Sequence, residues 1–251
     1  MTNRDEIIKY KKNFLSNVVV QINYSPIKRF FEDIPRDIIE ELSKEYRFHQ
    51  GQPITEVQVN MATGARIETA IPLWEFTSDD NSLVIQLTQN VLKFDFTKYT
   101  NFEDLMSHVK KVTTLLNKDI TLITRLGLRY INQIDLDEPQ PTNWTDYIED
   151  ALICPIEKWC NESKDSIARV MSQIVVNESD YTLNFNYGIY NPIFPNTIML
   201  KQYILDFDCF GKNVDFNELD TFLYKFNLAI TSAFEKSIKN GLREKMEKIH
   251  E

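Results

Sequence analysis

Two arginines near the middle of the chain are the side chains best placed for binding. Arg125 and Arg129 lie in the segment Thr124–Asp135, where apolar and polar residues alternate. A period of two is typical of a β-strand with one buried face. Both guanidinium groups would then point to the same side, about 13 Å apart. Gly127 would leave the space between them open. We therefore predict a ligand- or partner-binding site at Arg125, Gly127, Arg129 and Asn132.

Two interpretations of this arginine pair stay open from the sequence. In the first, the pair binds a phosphate, a carboxylate or an acidic segment of a partner through charge-assisted hydrogen bonds. In the second, the arginines pair with carboxylates on neighbouring strands of the same chain. Asp95, Asp135 and Asp206 are the candidates for such pairs.

Three carboxylates form a second candidate site. Asp206 and Asp208 are two residues apart on a predicted strand, and Asp95 occupies a comparable position earlier in the chain. Paired carboxylates bind metal ions or perform acid–base chemistry. The favoured interpretation is that they are solvated positions on a half-buried strand.

Recognisable catalytic motifs are absent from the sequence. It contains no phosphate-binding glycine loop, no dinucleotide-binding fingerprint and no nucleophile elbow. The three histidines are isolated from one another and from the cysteines, so zinc ligands at the usual spacing are missing. We therefore predict no catalytic residue, no cofactor and no bound metal ion, and enzymatic activity is the less favoured alternative.

The net charge, the apolar runs and the cysteine content of the chain limit the classes of partner it can bind and indicate its compartment. The formal net charge of −9 argues against general affinity for nucleic acid or for an anionic membrane, both of which need a basic surface. No apolar run approaches the roughly 20 residues of a membrane span. Cys154, Cys160 and Cys209 form no CxxC pair, which predicts reduced thiols in a cytoplasmic protein.

The elements that position these residues follow a repeated order. Strand, helix, a meander of three or four strands and helix are predicted twice, which indicates an α+β fold. Antiparallel sheet, curved and open, would carry helices on one face. We predict one compact domain, 1–251, made of two pseudo-repeats at about 15–120 and 121–249. Matching helix starts at Asn101 and Asp215 suggest the duplication, although such caps also recur by chance.

Helices are predicted over about 3–14, 35–46, 101–116, 144–160 and 215–246. Strands are predicted over about 17–24, 57–61, 73–76, 83–87, 92–96, 124–135, 166–176, 181–189 and 197–208. A turn is predicted at Gly64. Trp144 and Trp159 are expected in the core, because large aromatic side chains on a helix more often pack than bind ligands.

Several segments resemble a sporadically distributed family of prokaryotic proteins to which no activity is assigned. The resemblance rests on Trp74–Phe76, Val84–Thr88, Thr97–Thr100 and Leu205–Asp208, on Phe234 with Leu242–Glu244, and above all on Arg125–Asn132 (RLGLRYIN). It covers nearly the whole chain. The patchy distribution implies mobile or accessory genes, such as antiviral defence systems.

The favoured function is a non-catalytic binding or regulatory protein that engages a protein partner through its open sheet face or its last helix. Self-association is compatible with the sequence. The first alternative is a small-ligand protein that binds a nucleotide-like anion through Arg125 and Arg129. The second is a metal-dependent hydrolase or nuclease that uses Asp95, Asp206 and Asp208.

Overall fold

A computed structural model of the chain describes residues 10–31, 33–59, 66–163 and 166–248. The strands are β1 Leu15–Tyr24, β2 Arg47–Gln50, β3 Ile54–Val59, β4 Arg66–Ile71, β5 Trp74–Thr77, β6 Leu83–Leu87, β7 Val91–Phe96, β8 Leu122–Asp135, β9 Val170–Asn177, β10 Thr182–Ile189 and β11 Gln202–Asp215. The helices are α1 Arg36–Leu42, α2 Phe102–Leu116, α3 Asp150–Ser163, α4 Leu219–Glu235 and α5 Asn240–Met246. The α+β class is confirmed.

The strands form an open sheet in the order β2-β5-β6-β7-β1-β8-β11-β10-β9, and β3 pairs with β4 as a separate hairpin. The turn predicted at Gly64 lies outside the described residues. Neighbouring strands of the two meanders, β5-β6-β7 and β9-β10-β11, pair antiparallel, as predicted.

Two compact units make up the chain. Unit 1 consists of Arg129–Phe210 with the described parts of Met1–Asn17 and Leu223–Glu251, and unit 2 consists of Val18–Leu128 and Gly211–Phe222. Each unit contains a three-stranded meander. The internal duplication itself stays a prediction.

In unit 2, alternation of apolar residues builds one buried sheet face. Val18, Val20 and Ile22 of β1 are fully buried, as are Ile85 and Phe94 of the neighbouring strands. Helix α2 packs onto this layer, and its His108 ring lies 5.9 Å from the ring of Phe96. The helix begins at the predicted cap, where Asn101 Oδ1 accepts a hydrogen bond of 2.8 Å from the Asp104 N–H. The predicted helix 101–116 is thus confirmed.

In unit 1, helices cover the face of the sheet that carries the aromatic residues. The Tyr203 hydroxyl of β11 donates to the Leu152 carbonyl of α3 at 3.1 Å. The Phe207 ring, also on β11, meets the Phe234 ring of α4 at a centroid distance of 6.5 Å. These contacts define the covered face of unit 1, and the side chains of alternate residues point to the other face.

The predicted amino-terminal helix is wrong within the described residues. Residues 1–9 lie outside the described residues, and residues 10–14 are not helical. The N–H groups of Lys11 and Lys12 donate to the carbonyls of Glu247 and Met246 at 3.1 and 3.0 Å. Pairing with a remote segment therefore replaces the local helical bonds.

Two further helices differ from their predicted bounds for one shared reason. Helix α3 begins at Asp150 rather than at 144, and α4 ends at Glu235 rather than continuing to 246. Between them, Ile148 and Ile238 form an isolated antiparallel bridge. A Cβ on Gly241, in the first turn of α5, would lie 2.5 Å from the Asp146 carbonyl oxygen, so the backbone of α5 touches the connection before α3. Residues 145–149 before α3 and 236–239 after α4 are not helical.

The change at α3 separates the two tryptophans. Trp144 precedes the helix and is buried, as predicted, with its ring 5.2 Å from that of Tyr203. Trp159 is 54% exposed, so the prediction that it lies in the core is wrong. Nothing is described of the side chain of Cys160 beside it, whereas Cys154 and Cys209 are free thiols.

Candidate functional site

A row of polar side chains crosses four strands on the uncovered face of unit 1. Arg129 of β8 donates from Nε and Nη2 to both carboxylate oxygens of Asp206 on β11, at 2.7 and 2.8 Å. Asn186 of β10 donates from Nδ2 to Asp206 Oδ2 at 3.4 Å. Gln173 of β9 donates from Nε2 to Asn186 Oδ1 at 3.0 Å. We call these four residues the polar row.

Register explains why these residues meet. Asn186 pairs with Asp206 across β10 and β11, and Gln173 pairs with Asn186 across β9 and β10. Directly opposed residues in antiparallel strands point to the same face with Cβ atoms about 4.5–5.5 Å apart. A row of short bonds across the sheet is the consequence.

The pair at the head of the row combines a buried anion with an exposed cation. The Asp206 side chain is 9% exposed, whereas the Arg129 side chain is 46% exposed. The hydrogen bonds that the Arg129 guanidinium donates to Asp206 raise the pKa of that guanidinium above its ordinary value, and the charge of Asp208 adds to this. Because the bond is bidentate, the guanidinium plane is fixed in orientation.

Arg125 and Gly127 belong to unit 2, where they lie against each other. A Cβ on residue 127 would come within 2.8 Å of Arg125 Nη1. The space above Gly127 is therefore used by the Arg125 side chain. This gives the glycine a local role that the sequence did not indicate.

The other residue of the predicted site lies on the covered face. Asn132 is buried, and its Nδ2 donates to the Leu205 carbonyl at 3.2 Å. Tyr130, on the same face of β8, donates its hydroxyl to Asn227 Oδ1 of α4 at 2.8 Å. Both amide side chains are satisfied within the core of unit 1.

The three candidate metal-binding carboxylates have separate surroundings. Both oxygens of Asp206 accept from Arg129, and Asp208 pairs in register with Asn184. Asp95, in unit 2, accepts a bond of 3.0 Å from Lys93 Nζ. Within the described residues, no group of three or more His, Cys, Asp and Glu side chains is placed to hold a metal ion.

Two described histidines are engaged with residues of unit 2. His108 Nδ1 lies 2.6 Å from the Tyr46 hydroxyl, and His49 Nε2 lies 3.2 Å from Glu75 Oε2.

Burial raises the pKa of the Cys209 thiol well above its ordinary value, so this cysteine is a poor nucleophile. Of the helices in the described ranges, none has the length and apolar character needed to cross a membrane.

Gln173 belongs to the polar row but is not among the residues predicted from the sequence. The predicted strands 166–176 and 181–189 leave a turn at 177–180, where the Glu178 N–H donates to the Tyr181 carbonyl at 2.9 Å. Counting back from that pair sets Gln173 opposite Asn186. The turn was therefore the signal that could have placed Gln173.

Searches against protein-family models and against curated proteins found no match to this chain.

Proposed function

We propose that this chain is a non-catalytic binding protein that engages a protein partner through the uncovered face of unit 1. The observation that carries the proposal is the Arg129 side chain, nearly half exposed yet held in one orientation by the buried Asp206. A side chain that is already ordered loses little conformational entropy on binding. Arginine is also among the residue types that dominate binding energy at protein interfaces.

The chemistry around Arg129 favours a protein over a small anion. Arg129 is neutralised by Asp206, and Asp208 adds a second negative charge beside it. A phosphate would have to displace a carboxylate that already forms two charge-assisted bonds. Asn184, Asn186 and Gln173 offer amide donors and acceptors together, which suits the mixed polar groups of a polypeptide surface.

The same contacts argue against the hydrolase alternative. A divalent cation at Asp206 would have to replace the Arg129 guanidinium on both carboxylate oxygens.

The resemblance to a patchily distributed prokaryotic family supports a place for this binding protein in an accessory system, such as defence.

The test is partner capture from a lysate of the native host, with wild-type protein compared against two variants. In the first variant, Arg129→Gln with Asp206→Asn removes both charges but keeps amides that hydrogen-bond to each other. In the second, Tyr224→Lys alters an exposed residue of α4, which forms most of the predicted last helix 215–246 and is the alternative surface. Thermal melting establishes that each variant is folded.

We expect a partner that is captured by wild-type protein and by Tyr224→Lys but not by the double variant. With the purified partner, the dissociation constant should rise at least about tenfold, since lost charge-assisted bonds in a desolvated interface cost about 2–5 kcal/mol. Equal capture by all three proteins, or loss with Tyr224→Lys alone, would overturn the proposal.

A further inference from the structure

Strand β9 ends the sheet order and lacks the features that normally keep an edge strand from pairing. It has eight residues, Val170–Asn177, with the sequence VMSQIVVN. It contains no charged residue, no proline and no glycine. Edge strands are usually kept apart by shortness, by lysine or other charges, or by proline. The strand at the other end of the order, β2, has four residues, including Arg47 and His49.

The side chains of β9 are apolar and exposed on both sides of the sheet. Met171, Ile174, Val175 and Val176 have exposed fractions between 40% and 50%. Ile174 and Val176 point to the covered face with their partners Phe185 and Leu183, whereas Met171 and Val175 point to the uncovered face. Exposed apolar side chains on both sides of one strand are typical of a strand that is buried in an assembly.

The backbone groups available along this edge follow from the hairpin. The bond from the Glu178 N–H to the Tyr181 carbonyl marks a hydrogen-bonded pair. Such pairs alternate with non-bonded pairs along an antiparallel strand. The N–H and C=O groups of the alternate residues therefore point away from β10, toward the free edge. These residues are Met171, Gln173, Val175 and Asn177.

We propose that β9 pairs with β9 of a second copy of this chain, antiparallel and about a two-fold axis. In one register all four outward residues are used at once. Met171 lies opposite Asn177 of the second copy, and Gln173 lies opposite Val175. This register forms about eight backbone hydrogen bonds. It also places Ile174 opposite the Ile174 of the second copy, so the apolar side chain at the axis covers its own counterpart.

Charge at the two ends of the strand favours a second copy as the occupant. Arg169, exposed, comes directly before β9, and Glu178, also exposed, comes directly after it. Antiparallel pairing brings the start of one strand beside the end of the other, so each Arg169 approaches the acidic turn of the other copy. Strand β9 itself carries no charge, so no like charges face each other along the paired strands.

The apolar surface continues into the loop that follows β10. The Ile198 N–H donates to the Ile167 carbonyl at 2.9 Å, which holds this loop beside the start of β9. Its Met199 is 71% exposed, and its exposed Tyr190 and Phe194 rings pack on Arg169. The interface would therefore be larger than the strand pair alone. Its apolar contact at the axis, Ile174, lies on the face opposite the polar row, whereas Gln173 contributes its backbone to the pairing and its side chain to the polar row.

The experiment measures the mass of the full chain in solution by sedimentation or light scattering across a range of concentrations. Ile174→Lys and Ile174→Glu each place two like charges at the axis, whereas a mixture of the two variants places opposite charges there. Val175→Pro removes an outward N–H that β10 does not use, which an edge strand tolerates. Tyr224→Lys is the matched control, because it adds the same charge at an exposed residue of α4.

We expect dimers of the wild-type protein and of Tyr224→Lys, and dissociation constants at least about tenfold higher for Ile174→Lys, Ile174→Glu and Val175→Pro. Mixing the lysine and glutamate variants should restore the dimer, which also shows that both are folded.

Wild-type protein that stays monomeric at tens of micromolar would overturn the proposal. Dimers that persist in Ile174→Lys, or a failure of the mixture to recover, would overturn it as well. If the protein is monomeric and β9 is instead needed to capture a different protein, the edge pairs with a strand of that protein. The self-pairing proposal is then wrong.

Discussion

The Arg129–Asp206 pair shows how one contact decides between two interpretations of a charged residue. The sequence leaves two interpretations of Arg129 open, a cation that binds a ligand or partner and half of an internal ion pair. The structure pairs it with Asp206, one of the three carboxylates named as candidates. The choice among them could not be made from the sequence, because it depends on which strands are neighbours and in which register.

The first prediction concerns this pair. Arg129→Gln alone should lower the free energy of unfolding by about 2–3 kcal/mol, because a nearly buried carboxylate loses its charged partner. Arg129→Gln with Asp206→Asn should recover most of that loss, and Lys212→Gln, at an exposed residue, should change little. Urea unfolding measures all three. A double variant as unstable as the single one would show that the charge pair does not explain the loss.

A second cluster in unit 1 links an acidic side chain to the core. Glu138 accepts bonds from Lys245 Nζ and Lys201 Nζ at 2.8 and 2.9 Å, and from the Tyr147 hydroxyl at 2.8 Å. Lys201 is 6% exposed and lies over the rings of Trp144 and Tyr147. The bonds from Lys245, Lys201 and Tyr147, in that order, lower the pKa of Glu138 to about 2.

The second prediction is a dependence of stability on pH. Since the pKa of Glu138 is lower in the folded chain than its ordinary value of 4.5, its contribution is complete above about pH 4.5 and is lost as the pH falls toward 2. Glu138→Gln should cost about 1.5–3 kcal/mol near pH 7. The difference from wild type should then shrink through that acidic window.

Denaturant unfolding at several pH values tests this, with Asp137→Asn, at an exposed neighbouring position, as the control. A difference that does not change between pH 7 and pH 3 would contradict the assignment.

At the scale of the elements, strands and helix starts that a local sequence pattern marks are predicted correctly. Helix ends that depend on a contact between distant segments are not. Alternation placed β8 and the two meanders, and capping chemistry placed the start of α2. The ends of α3 and α4 were missed, because the bridge between Ile148 and Ile238 joins segments 90 residues apart. No local pattern encodes such a contact. Trp159 lies within a helix, as predicted, but on the exposed side of α3.

The third prediction concerns the two caps that suggested a duplication. Asn101 Oδ1 accepts from the Asp104 N–H, and Asp215 Oδ1 accepts from the Asn217 N–H at 2.8 Å, where a 3-10 turn leads into α4. Asn101→Ala and Asp215→Ala should each cost about 0.5–2 kcal/mol.

Asn117→Ala is the matched control for these variants, since Asn117 ends α2 and an exposed substitution usually changes stability by less than about 0.5 kcal/mol. Chemical denaturation of the three variants provides the comparison. If the cap variants are no less stable than Asn117→Ala, the caps do not hold the helix starts.

At the scale of the molecule, the α+β class followed from the order of predicted elements, because periodicities of 2 and 3.6 separate strands from helices over long segments. The polar row did not follow, since it needs four strands in a particular order. The function of unit 1 therefore has to be inferred from its assembled sheet face rather than from a sequence motif.

The fourth prediction is that folding is independent of metal. The described residues contain no group of three or more candidate ligands, and a structural metal contributes directly to folding free energy. The melting temperatures with and without a chelator should therefore coincide. A decrease of several degrees after chelation would reveal a metal site and reopen the question of Asp206 and Asp208.

The positions of the three tryptophans give the chain a built-in optical readout. Trp74 is buried in unit 2, where its ring meets Phe30 and its Nε1 has no hydrogen-bond partner among the described residues. Trp144 is buried in unit 1, and its Nε1 donates to the Pro141 carbonyl at 3.1 Å. Trp159 is exposed, so a soluble quencher should silence it first. In a Trp159→Phe protein, the remaining fluorescence comes from one indole in each unit. The two indoles differ in their polar surroundings. Emission colour during denaturation therefore distinguishes the opening of one unit from the opening of the other.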